Sequence, residues 1–176
     1  AELGIEHPVV LGHSFGGFVA LSLATRHPDL LGKLILLATS PREKAGWDLD
    51  CLERIAGKEL REVAARISAG LASEEDGRRF GAELIPFFWY PPKPEIVRFL
   101  DRNPFRNEDI GGQMDERFPH TYDVRPQLAT IASPTLVLHG RNDWVVPISE
   151  SEEMVQKIPK SQLYIFEQAG HGVPYD

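Results

Sequence analysis

Cysteine is all but missing from this chain. Cys51 stands alone among 176 residues, which excludes a disulfide framework and any zinc site built on paired cysteines. Long apolar runs are missing too, and nothing approaches the roughly 20 residues that a membrane-spanning helix needs. Positive charge is in deficit: 19 Lys and Arg face 26 Asp and Glu, for a net charge of -7. No basic stripe is available to neutralise a phosphate backbone. These absences argue against nucleic-acid and membrane partners, and no cofactor or metal motif appears. The oligomeric state stays open, and a reducing, cytoplasmic setting is the default expectation. What the chain has in quantity is apolar sequence, 42% of its residues, enough for the core of one globular domain.

That apolar content is organised as short runs separated by helical patterns. Val9 to Leu11, "KLILLAT" at 33–39, "PTLVLHG" at 134–140 and "QLYIFEQ" at 162–168 are β-branched or aromatic stretches with few charges. They read as strands buried on both faces. Residues 16–26 carry Phe18, Val19, Leu21, Leu23 and Ala24 at helical spacing, and His27-Pro28 closes that helix. "ISESEEMVQKI" at 148–158 predicts the helix leading into the last strand. Strands alternating with helices imply parallel pairing.

Residues 41–125 break the rhythm with charged, amphipathic helical segments, among them "SEEDGRRFGAELI", where Ser73 and Asp76 fit a capping box. The aromatic, proline-rich "PFFWYPPKP" follows it. This block reads as a helical insertion, a cap on the sheet. The organisation is therefore a first core part at 1–40, the insertion at 41–125 and a second core part at 126–176.

Gly12-His13-Ser14-Phe15-Gly16 sits where the first strand must become a helix. By composition alone such a G-x-S-x-G pattern arises in about one chain in twenty of this size, so its context carries the argument. A sharp strand-to-helix turn holds the serine strained and lifts its hydroxyl above the sheet. Glycines leave room where a Cβ would meet the neighbouring strand or helix, and Gly17 eases packing further. The backbone N–H of Phe15, at the helix N-terminus, points where an oxyanion would develop.

A serine needs a base, and the base needs an orienting group. His7, His27 and His120 sit before prolines or in polar loops. His139 lies inside an apolar strand as a core histidine, and His13 adjoins Ser14 on the turn. His171, in "EQAGHG" just past the last strand, is the candidate base. Asp143, three residues past the strand-ending Gly140, is the candidate third member. Asp123 rivals it but precedes a strand instead of following one. Trp144 and Val145 on the same loop are expected to line an acyl pocket, with Phe87, Phe88, Trp89 and Tyr90 either facing it or forming cap core.

The order Ser14, Asp143, His171 resembles the α/β-hydrolase superfamily, as do "GHSFGG", "HPDLLGKLILLAT", "PTLVLHGRNDWVVP" and "FEQAGHG". The resemblance implies an α/β fold with a mostly parallel sheet of about four strands and a helical cap. It also implies a serine hydrolase acting on an ester, amide or lactone of a small, apolar substrate through an acyl-enzyme, without cofactor. A serine at this position separates the chain from branches that use aspartate there. Cap length and "YDVRPQL" look most like proline iminopeptidase-type enzymes, which hold a substrate amine with acidic cap groups. Asp115 and Glu116 read first as a solvated pair and second as such groups, and "GHSFGG" is the generic hydrolase form of the elbow, not that family's. An acyltransferase of the same fold and a catalytically silent binding member are the alternatives. The family's strands before the nucleophile, and the loop giving a second oxyanion N–H, find no match here. The chain therefore resembles the C-terminal part of a larger hydrolase, and alone it is expected to be inactive and prone to association.

Overall fold

Each of the four apolar runs forms a strand in the computed structural model, which describes residues 4–43, 46–96, 98 and 122–175. The strands are β1 (Val9–His13), β2 (Lys33–Leu37), β3 (Thr135–Gly140) and β4 (Ser161–Phe166), all parallel and in the spatial order β1-β2-β3-β4. Gly12 pairs with Leu36, Leu36 with Val137 and Val137 with Leu163, so the four carboxyl ends line up along one edge. Parallel strands need crossovers, and α1 (Phe15–Arg26) and α5 (Ile148–Lys157) supply them.

α1 is rich in alanine and leucine, and it ends at His27 because the residue before a proline is driven out of helical geometry. Its Ala20, Leu21 and Ala24 pack onto Leu34, Leu36 and Val137 of the sheet, together with Leu128, Ile131 and Met154. Full burial of each leucine in this layer contributes roughly 1.5–3 kcal/mol.

The opposite sheet face departs from the expectation of double burial. Val9 is 60% exposed, Leu11 58% and Tyr164 57%. Pairing of Leu11 with Ile35, of Ile35 with Leu136 and of Leu138 with Tyr164 places these side chains on a common face. The described helices pack on the Leu34 and Val137 side, so the strands alternate buried and exposed instead of being buried throughout.

Between β2 and β3 the chain is helical: α2 (Leu49–Ala56), α3 (Lys58–Ser68) and α4 (Glu74–Arg79), then a π turn at Phe80–Leu84 and a 3-10 turn at Ile85–Phe88. Asp48 caps α2 by accepting from Cys51 N at 2.9 Å. The capping box at α4 is present, with Ser73 accepting from Asp76 N and Asp76 accepting from Ser73 N. Arg66 on α3 donates to Asp76 as well, and this bond is the main reason its carboxyl sits well below the ordinary range. A second core of Cys51, Leu52, Val63, Ala64 and Leu84 closes on Trp144, which follows β3. The helical segment is thereby seated at the carboxyl edge of the sheet. Most of the expected helix at 94–103, together with Asp115, Glu116 and His120, lies outside the described residues. No helix among the described residues is long and apolar enough to cross a membrane.

Candidate active site

The turn between β1 and α1 carries the strain that its sequence implied. Ser14 has φ 52° and ψ -121°, a region that non-glycine residues avoid unless the surroundings hold them there. They do: Ser14 N–H donates to Leu37 O at 2.9 Å, Gly17 N–H to Ser14 O at 2.9 Å, and Thr39 Oγ1 to Ser14 O at 2.7 Å. A Cβ on Gly12 would come within 2.4 Å of Gly16 O, and one on Gly17 within 2.2 Å of Thr39 Oγ1. Gly16 differs from the expectation, because a Cβ there meets nothing within 4 Å. It projects from the open side of α1, away from the strand crossing.

Three predicted residues from distant parts of the chain meet at this turn. His171 Nε2 lies 2.9 Å from Ser14 Oγ, and His171 Nδ1 lies 2.9 Å from Asp143 Oδ2. A carboxylate only accepts, so Nδ1 carries the hydrogen and Nε2 presents its lone pair to the serine hydroxyl. Asp143 Oδ1 accepts from the backbone N–H groups of Val145 and Val146, both at 2.9 Å. Asp143 and His171 are buried, where such bonds are stronger than in water. Phe15 heads α1 directly after the serine. The rival Asp123 is committed elsewhere: its carboxylate accepts from Arg125 Nε at 2.9 Å, and its backbone bridges Arg42.

His139 is a satisfied core histidine. Its Nε2–H donates to Val146 O at 3.1 Å, and Ser151 Oγ donates to its Nδ1 at 2.8 Å. Burial pushes its pKa below the ordinary 6.5, with the Asp143 charge, 3.8 Å away, opposing. The unfolded chain therefore binds this proton more readily than the folded one. The stability contribution is fully present above about pH 6.5 and is lost as pH falls below it toward the depressed folded value. His139→Gln keeps a donor for Val146 O and is expected to reduce the acid slope of unfolding free energy by up to about 1.4 kcal/mol per pH unit. Urea unfolding across that window checks it, and an unchanged slope would contradict it.

A cavity of about 650 Å³ opens beside Ser14, walled by Phe15, Phe18, Trp47, Ile67, Val145 and Val146, with Ser40 and Glu43 as polar lining. Val145 is placed as expected. Trp144 is not: its side chain is fully buried, its Nε1–H donates to Phe87 O at 2.9 Å, and its ring packs edge-on against Trp47 and Phe88. An indole wedged between two layers is core, not lining. Phe87 and Phe88 belong to the same core, and the Phe88 ring stands edge-on to His171 at 5.7 Å.

Ser40, Thr39 and Phe18 were not singled out from the sequence, though two signals pointed to them. Thr39 and Ser40 follow the strand next to β1, at the same sheet edge. Phe18 lies one helical turn beyond Ser14, on the same face of α1. Ser40 Oγ donates to the buried Glu150 Oε2 at 2.8 Å, and Arg42 Nε pairs with that carboxylate at 3.1 Å. Trp47 and Ile67 carry no such signal, because tertiary packing alone brings them here.

A site at the carboxyl edge of a parallel sheet, fed by strand-turn-helix units, is the arrangement of an α/β protein. Residues 1–176 match the family of the alpha/beta hydrolase fold, and the chain belongs to that family. It is similar to a 2-hydroxymuconate semialdehyde hydrolase of Pseudomonas putida, 29% identical over 96% of this chain and 57% of that protein. It is also similar to a pimeloyl-[acyl-carrier protein] methyl ester esterase of Nitrosomonas europaea, 26% identical over 92% of this chain and 63% of that protein. Among solved structures, an esterase from Exiguobacterium antarcticum shares the fold with a TM-score of 0.69, at 24% identity over 98% of this chain and 62% of that one. The chain thus spans about three fifths of the length of the relatives it matches.

Proposed function

We propose that this protein is a serine hydrolase cleaving an ester of a small acid with an apolar acyl group. The observation that carries the reading is the unbroken hydrogen-bonded chain from Ser14 Oγ through His171 to Asp143. Ser14 attacks the acyl carbon while His171 Nε2 takes its proton. Asp143 holds the tautomer and stabilises the imidazolium, and His171 then returns the proton to the leaving alcohol. Water, activated by the same imidazole, releases the acid. The Phe15 N–H at the head of α1 is one oxyanion donor in this reading. The apolar walls of the cavity support an apolar acyl group, and both curated relatives described above carry hydrolase or esterase names. Glu43 on the cavity lining favours one second reading, an aminopeptidase of the proline iminopeptidase type whose substrate brings a free amine.

The test is covalent. A fluorophosphonate is expected to label Ser14 stoichiometrically, as peptide mapping would show, and Ser14→Ala to abolish labelling. Stoichiometric labelling of the alanine variant would overturn the assignment. Turnover of a p-nitrophenyl butyrate against a prolyl p-nitroanilide separates the ester reading from the aminopeptidase one.

A further inference from the structure

The sheet order creates a problem of reach. β1 and β4 are opposite edges, yet His171, five residues after β4, bonds to Ser14 at the end of β1. Three inter-strand steps come to about 14 Å, and five residues extend to only about 17 Å. The chain and the two side chains together can cover that span, but its length does not fix the height or tilt of an imidazole at its far end. Lateral anchors must do so.

Neighbouring segments supply several. Asn142 N–H donates to Ala169 O at 2.9 Å and Asn142 Nδ2 to Glu167 O at 3.1 Å, while Gly172 N–H donates to Phe88 O at 2.7 Å. A further anchor comes from the nucleophile turn itself. His13 Nε2 lies 3.0 Å from the carbonyl oxygen of His171, and the two rings stand 5.4 Å apart at 39°. Because a carbonyl only accepts, Nε2 must carry the hydrogen. The bond ties residue 13, the neighbour of Ser14, to the backbone of His171 itself. Main-chain carbonyls away from water require such a donor.

We propose that His13 is a positioning residue, a strut whose Nε2–H holds the His171 backbone against the nucleophile turn and so sets the Ser14 Oγ to His171 Nε2 approach. The role rests on the reading of Ser14 as nucleophile and His171 as base. His13 itself touches no reacting atom.

The test compares His13→Gln, whose amide N–H reaches the position of Nε2, with His13→Asn, which is equally polar but too short. With a fluorophosphonate, His13→Asn is expected to lower the inactivation rate constant at least about tenfold with the probe's KI unchanged, while His13→Gln stays within about threefold of the parent. Wild-type rates in His13→Asn, or equal losses in both variants, would overturn the strut. An independent readout is the imidazole ¹⁵N spectrum at about pH 8.5, where free histidine is neutral. His13 must appear there as the Nε2–H tautomer. An Nδ1–H tautomer overturns the proposal whatever the probe does. If the parent protein is not labelled at Ser14, the nucleophile assignment falls, and the tautomer alone decides whether the strut exists.

Discussion

On the serine-hydrolase reading proposed above, Ser14→Ala in the full-length protein is expected to lower kcat for a good ester substrate by about 10⁴- to 10⁶-fold, and His171→Ala by a similar factor. The double variant is expected to be no worse than either single one. If serine and histidine contributed independently, two losses of this size would multiply. In the geometry described, His171 has nothing to deprotonate once the Ser14 hydroxyl is gone, and the hydroxyl has no acceptor once the imidazole is gone. Each substitution therefore removes the same step. What survives is binding in the cavity together with whatever oxyanion stabilisation the helix N-terminus gives. Steady-state kinetics on the three variants, with far-UV circular dichroism to confirm folding, decides the matter. A double variant markedly slower than both singles would show that serine and histidine do not act as a unit.

How much of this was legible in the sequence depended on whether a feature was local. Strand positions, α1 and its stop at His27-Pro28, and the Ser73–Asp76 capping box follow from apolar runs, proline and capping chemistry within a few residues. The Ser14, Asp143, His171 constellation was legible for a related reason: each residue sits just past the carboxyl end of its own strand, and parallel pairing brings those ends together. Trp144 was misplaced because a tryptophan beside a site aspartate looks the same in sequence whether it lines a cavity or fills a core. The deciding partners, Phe87 O and the rings of Trp47 and Phe88, come from 56 to 97 positions earlier in the chain. Val9 and Leu11 looked doubly buried because apolar runs are what covered strands show, but a run cannot report which neighbours lie over it. His13 stood in the sequence only as the neighbour of Ser14; that its ring nitrogen meets His171 O follows from the segment after β4 crossing back to the end of β1.

The glycines of the elbow give the sharpest separation between motif and mechanism. A pattern match treats Gly12 and Gly16 as equals, while their surroundings do not. A Cβ on Gly12 would stand 2.4 Å from Gly16 O, 2.7 Å from Gly17 Cα and 2.8 Å from Ala20 Cβ. The first two are backbone atoms of α1, which cannot rotate aside. To reach ordinary contact the helix must retreat by about 1 Å, and Ser14 sits at the joint between that helix and β1. Gly12→Ala is therefore expected to cost about 1–3 kcal/mol of stability through overpacking. Because a misplacement of that size at a reacting group costs about a hundredfold in rate, kcat/KM should fall by that order. Gly16→Ala meets nothing within 4 Å. Alanine is the better helix former by up to about 1 kcal/mol, so this variant should be as stable as the parent or more so, and nearly as active. Gly17→Ala falls between them, since its Cβ meets the Thr39 side chain, with Oγ1 at 2.2 Å. Pushing Thr39 aside also removes its bond to Ser14 O. Urea unfolding and ester kinetics on the three alanine variants are expected to rank Gly16 mildest and Gly12 most severe. Equal damage at Gly12 and Gly16 would mean that the second glycine serves the chemistry by a route other than making room for the strand crossing.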